Sequence, residues 1–177
     1  MTEGEWLACA DPAPLLRCLG RRASEAQLRR FGIACCRRIW HLLVDARSRQ
    51  AVEIVEAFLQ GSATAKELDL ACDDAEWPYQ DANLRAEDPD NSNPEPDRVT
   101  EAAAYAAHML AWPQFGYDTA IEVASGAAEA VVRPSLPNGE SAAQAELLRR
   151  EVRWPGAPEA EPGAAADPPR TFASGSS

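Results

Sequence analysis

The stretch Ser24-Glu25-Ala26-Gln27-Leu28-Arg29-Arg30-Phe31-Gly32-Ile33-Ala34-Cys35-Cys36-Arg37-Arg38-Ile39-Trp40-His41-Leu42-Leu43 decides the fold class. Ser24 with Gln27 three positions on is a capping box, each side chain able to satisfy a backbone N–H left open where a helix starts. Leu28, Phe31, Cys35, Ile39 and Leu42 then recur at three and four residue spacing. Such a stripe lies on one side of a helix and needs burial. The reading is a helix from Glu25 to Leu43.

The same signals repeat outward in both directions. Toward the amino terminus, Thr2 with Glu5 opens a short helix to about Ala10. Asp11 before Pro12 is an N-cap with proline at the first helical position, and Gly20 ends that segment. Toward the carboxyl terminus, Asp45 caps a helix to Gln60 with Val52, Val55, Phe58 and Leu59 inward, and Gly61 stops it by taking a left-handed conformation. Thr64 with Glu67 restarts a helix to roughly Arg85, carrying only Leu68, Leu70, Ala71 and Trp77 as apolar candidates, with Pro78 expected to end or kink it. Residues 86 to 98 read as an exposed, mobile polar loop. Ala-rich helices are expected over about 98 to 111 and 118 to 132, then an Asn138-Gly139 turn and a helix from Ser141, boxed with Gln144, to about Arg153. With no alternating Val, Ile and Thr, the class is all-α, an irregular helical bundle. Residues 1 to 153 form the helical domain: a best-packed part over 1 to 62, an acidic helix and loop over 63 to 98, and Ala-rich helices over 98 to 153. The Pro, Gly, Ala and Ser segment 154 to 177 reads as a disordered C-terminal tail.

Bulk and charge are unevenly spread. Leu, Ile, Val and Phe supply 31 of 177 residues against 35 Ala, and 16 of those 31 fall in residues 1 to 60. The leading third is therefore expected to pack best. Residues 1 to 60 carry 9 basic against 7 acidic side chains, whereas residues 61 to 101 carry 3 against 12, within a net charge of −11. An acidic chain of this kind repels nucleic acid and anionic lipid over most of its surface. Five cysteines without a secretory leader point to a reducing cytoplasm, and no apolar run approaches the roughly 18 residues of a membrane span.

Four groups of residues invite a functional reading. Arg29, Arg30, Arg37, Arg38 and His41 form a candidate interaction face, for nucleic acid or a partner protein. The competing reading is internal, with the acidic 61 to 101 segment folding back on the basic face through exposed pairs worth about 0.2 to 1 kcal/mol each. Cys35, Cys36 and His41 lack metal-ligand spacing and diverge around the helix, so the cysteines read as small buried apolar residues. A small enzyme or metal protein would need Cys36, His41 and His108 brought together by the fold. Asp88, Asp90 and Ser92 begin like a calcium loop, but Asn93 stands where glycine is needed and Val99 where a closing Glu should be. Glu101, Tyr105, His108 and Trp112 share a helix face by 4, 3, 4 spacing and form a candidate pocket strip, the bland alternative being a boundary strip whose rings keep their polar atoms wet. No cofactor is expected. The favoured reading is a noncatalytic helical protein-interaction module acting on a protein partner or on a second copy of itself.

The series Glu5-Trp6-Leu7, Cys9, Asp11-Pro12, Arg22-Ala23-Ser24, Leu28-Arg29, Phe31, Ala34-Cys35-Cys36-Arg37-Arg38-Ile39-Trp40, Asp45, Arg47-Ser48 and Ala51-Val52-Glu53 resembles a large, heavily duplicated family of uncharacterised bacterial helical proteins. The likeness covers about residues 3 to 68. It implies a cytoplasmic helical domain and no activity, hence no catalytic residues. It also implies that members continue into a further structured segment, against which the sequence after Arg153 reads as a truncation or an altered reading frame.

Overall fold

Three capping boxes and two Asp caps set the frame. In the computed structural model, which describes residues 1 to 132 and 139 to 152, Thr2, Ser24 and Thr64 each accept from the backbone three residues on while Glu5, Gln27 and Glu67 reciprocate. Asp11 and Asp45 cap with their carboxylates. The helices are α1 (Glu3–Ala8), α2 (Pro12–Leu19), α3 (Glu25–Arg38), α4 (Ala46–Leu59), α5 (Ala65–Glu87), α6 (Glu95–Ala111), α7 (Tyr117–Val132) and α8 (Gly139–Glu151), with 3-10 turns at Gly20–Arg22 and Trp40–Leu42. The described residues contain no strand, and the class is all-α. Gly20 and Gly61 take φ of 48° and 75°, where a side chain would be strained.

Several boundaries depart from expectation. The deciding helix ends at Arg38, not Leu43. Ile39 leaves helical geometry and a 3-10 turn follows, closed by the Leu42 amide on the Ile39 carbonyl at 2.8 Å. The tighter turn keeps Ile39 in the core and lets Trp40 lie under the Arg37 guanidinium, 4.0 Å from ring centre to Cζ. Helix α5 runs through Pro78. A proline there forfeits one hydrogen bond and crowds the carbonyl four residues back. The burial of Ala71, Cys72, Ala75, Pro78, Ala82 and Ala86 against α4 and α6 holds the helix together across it. Helix α6 starts at Glu95, since Pro94 and Pro96 suit a first turn. The exposed linker before it is pinned by the Asp90 and Asn93 amides on the Asp88 and Asn91 side chains and by Asn91 on the Arg85 carbonyl. Helix α8 begins at Gly139, so Ser141 is not its cap. Gln144 instead donates from a buried position to the Ala124 carbonyl at 3.0 Å. Asn138 and residues 153 to 177, and with them the expected turn and tail, lie outside the described residues.

The core is one body and not a property of the leading third. Leu15, Leu16, Leu28, Phe31, Cys35 and Ile39 share it with Leu110, Phe115, Val123, Leu148 and a run of alanines from α6 and α7. Alanine serves because these helices meet closely. A Cβ added at Gly126 of α7 would stand 3.0 Å from the Ala102 carbonyl oxygen and 3.3 Å from the Ala106 Cβ of α6. Helix α8 ties back to the start of the chain, Arg149 donating to the carbonyls of Trp6 and Cys9 and Gln27 to that of Glu151. No described helix is long and apolar enough to cross a membrane.

Candidate interaction surface

The basic face is mostly spoken for. Arg29 does not belong to it: its side chain is fully buried, donating to the carbonyls of Leu110, Trp112 and Pro113 at the end of α6 and to Glu25. Arg37 makes a two-point pair with Glu56 of α4, and Arg38 another with the buried Glu140 of α8, the shortest contacts being 2.6 and 2.7 Å. Arg30 and His41 are exposed. The internal pairing thus comes from Glu56 and Glu140, and not from the 61 to 101 segment. Helix α5 turns Ala71, Ala75, Ala82 and Ala86 inward and most of the segment's acids face solvent, while Arg37 and Arg38 of α3 take their carboxylates from α4 and α8.

The strip on α6 divides. Glu101 and Tyr105 border a cleft of about 340 Å³ between α5, α6 and α7, together with Tyr79, Arg98 and Glu122. Glu101 accepts from Asn83 at 2.9 Å, and the Tyr105 hydroxyl donates to Glu122 at 3.2 Å. Burial, then the Glu122 charge, pushes the Tyr105 phenol up to about 12, so it remains a donor at neutral pH. His108 is buried instead, stacked on Tyr79 and edge-on to Trp112. Its Nδ1 lies 3.1 Å from the Cys72 carbonyl and 3.8 Å from the Cys72 Sγ.

This Cys72–His108 contact, between partners 36 positions apart, has no signature in the sequence. Its chemistry is quiet. A carbonyl can only accept, so Nδ1 carries the proton and cannot take one from the thiol. Burial, then Asp73, Glu76 and Asp69, raises the Cys72 thiol to about 11, away from the thiolate needed for nucleophilic work. Cys36 sits fully buried in α3 and His41 lies at the surface, so the fold does not unite them with His108. Among the described residues no three His, Cys, Asp or Glu side chains converge as a metal-ligand set. In the 88 to 99 stretch, Asp97 pairs with Arg85 at 2.8 Å and α6 is already under way.

The feature that burial reveals is on the outer side of α5. Leu70, Trp77 and Leu84 are 54%, 60% and 68% exposed. Seven-residue steps complete nearly two turns, so these three large apolar side chains form one line about 21 Å long. Asp69 and Asp73 flank it on one side and Asp74 and Asp81 on the other; all four are exposed and make no ion pair among the described residues. Beside the amino-terminal end of the line, Trp112, Asp69, Asp73 and the edge of Cys72 surround a notch of about 300 Å³. The spacing of Leu70, Trp77 and Leu84 is visible in the sequence. It does not by itself say whether the large residues or the alanines of α5 face inward.

No protein-family model, curated protein or solved structure matches this chain.

Proposed function

We propose that the protein is a noncatalytic, cytoplasmic helical module whose work is to hold a partner protein, through the outer face of α5. The observation that carries this reading is the exposed Leu70, Trp77 and Leu84 line on an otherwise well-filled bundle. Aligned large apolar side chains rimmed by charge mark contact sites, and tryptophan is over-represented among residues that dominate binding energy. A Cys/His enzyme is disfavoured by the raised Cys72 thiol and the committed His108 Nδ1. Nucleic-acid binding is disfavoured by the pairing of Arg37 and Arg38.

The test compares the wild-type chain with the triple variant Leu70→Gln, Trp77→Gln, Leu84→Gln as bait in lysate. All three positions are exposed, so the variant should keep its helical circular dichroism. Wild type should retain a partner in near-stoichiometric amount and the variant should lose it. A wild-type monomer without a stoichiometric partner, or retention by the variant, would sink the reading.

A further inference from the structure

Resting on the α5 reading above, we infer that the occupant of this face is a basic amphipathic helix of the partner. The line of Leu70, Trp77 and Leu84 repeats every seven residues, the spacing at which a helix laid alongside presents its own apolar seam. An extended strand would find little free backbone here, since away from the helix ends and the one carbonyl that Pro78 leaves open, the amides and carbonyls of α5 are used within the helix. Helix against helix is the geometry that matches.

Charge selects which helix. On both sides of the line the rims are acidic, Asp69 and Asp73 on one and Asp74 and Asp81 on the other, with no cation paired to any of them among the described residues. Arg47 acts on Asp74 and Asp81 only through space, its side chain being bonded to Asp45 at 2.9 Å, and Arg85, one turn past Asp81, is paired with Asp97. A helix with lysine or arginine beside its seam would meet opposite charge along both edges. A second copy of α5 would bring aspartate to aspartate at the same places and be repelled.

The notch fixes the register. Trp112 offers a 39% exposed indole, and Asp69 and Asp73 supply carboxylates at its mouth. An aromatic face with acidic neighbours is a receptor for an ammonium or guanidinium group. A basic side chain of the partner seated there places its apolar seam over Leu70, with the next turns over Trp77 and Leu84. Such a contact buries several hundred Å² per partner, at the low end for specific complexes, so the affinity belongs in the micromolar range.

The test uses synthetic peptides and the full chain. The probe is a helix-forming Leu/Lys peptide about three heptads long, with leucine at the two seam positions and lysine elsewhere. Two controls accompany it: the same composition scrambled so that the leucines share no face, and a version with glutamate replacing lysine. Calorimetric titration at about 0.1 M salt should give a micromolar Kd for the probe, at least about tenfold tighter than for either control. Trp77→Gln should weaken the probe about tenfold or more, as should the combined Asp73→Asn, Asp74→Asn, Asp81→Asn variant. Trp112→Ala should weaken it by a few-fold.

Equal binding of probe and scrambled peptide would reduce the effect to bulk charge and overturn the inference. So would binding unaffected by Trp77→Gln, a glutamate peptide that binds as well, or self-association through α5 in sedimentation. These failures are separable from failure of the broader reading. If the Leu70, Trp77, Leu84 triple variant still loses its cellular partner, the face remains an interface for a partner of different chemistry. If the variant keeps that partner, both readings fall together.

Discussion

Arg29 shows how much a single side chain can do that its local pattern conceals. Within α3 it follows Leu28 and precedes Arg30, and periodicity alone places it toward the edge of the buried stripe. In the fold it has no exposed surface: its guanidinium lies between the rings of Phe115 and Phe58, 4.8 and 5.7 Å from their centroids, and donates to three carbonyls where α6 ends. The last carbonyls of a helix have no partner of their own and carry the negative end of its dipole, so a buried cation there satisfies both needs. Replacing Arg29 by Met should cost about 3 to 5 kcal/mol, since it leaves those acceptors buried and unpaired. Arg29→Lys should recover less than half, because one ammonium cannot span the sites a planar fork reaches. Urea unfolding with unchanged slope and a lowered midpoint measures this; a loss under about 1 kcal/mol would refute the capping role. The cysteines behave as their composition suggested. Burial pushes the Cys36 thiol up to about 12 and holds Cys35 well above its ordinary value. An unfolded thiol titrates near about 8.5, so above that pH the unfolded chain binds fewer protons than the native one and stability must fall with rising pH. Denaturation midpoints should therefore drop from about pH 8.5 upward, and Cys36→Ala should flatten the decline. A stability that held level or rose across that window would contradict this.

At the scale of elements, caps were legible and faces were less so. Thr2, Ser24, Thr64, Asp11 and Asp45 start helices where the sequence places them, because capping is decided within four residues. The end of α3 and the passage of α5 through Pro78 depend on what packs alongside, which no local window contains. The same holds for the interaction surface. Leu70, Trp77 and Leu84 are larger apolar residues than alanine, yet they lie outside while Ala71, Ala75, Ala82 and Ala86 are buried in α5 beside Leu68, Cys72 and Pro78. Close approach to two neighbouring helices favours small side chains over most of that face. The α6–α7 contact makes this principle testable. Gly126→Val would drive a branched side chain into the Ala102 carbonyl and Ala106, neither of which is a flexible side-chain end, and should destabilise by about 2 to 3 kcal/mol despite valine's better helix propensity. Gly4→Ala is the control: a Cβ there meets nothing within 4 Å, so the substitution should be neutral or stabilise by up to about 1 kcal/mol. Thermal unfolding of the two variants side by side decides it, and equal melting temperatures would count against alanine-limited packing.

For the whole molecule, the open question is whether the residues richest in Leu, Ile, Val and Phe form a unit that stands alone. Counting large apolar residues favours it. The structure argues the reverse, since the buried side of α3 faces partners from later in the chain. A Cβ on Gly32 would meet Leu110, Phe115 and Val123, Arg38 pairs with Glu140, and Arg149 of α8 bonds the carbonyls of Trp6 and Cys9. Cutting the chain after residue 62 would expose Leu28, Phe31, Cys35 and the guanidinium of Arg29 to water, and would discard every carbonyl partner that guanidinium has. The lost apolar burial, at roughly 25 cal/mol per Å², is comparable to the few kcal/mol by which domains of this size are stable at all. The fragment 1 to 62 should therefore show weak helical circular dichroism, no near-ultraviolet signal from Trp6 and Trp40, and exposed thiols at Cys35 and Cys36 that label at nearly the denatured rate. In the intact chain those thiols should label slower by orders of magnitude, because reaching them requires opening the shared core. Urea should unfold the intact chain in a single transition by both helical and tryptophan signals. A folded fragment, or two separated transitions, would restore the leading third as an independent unit.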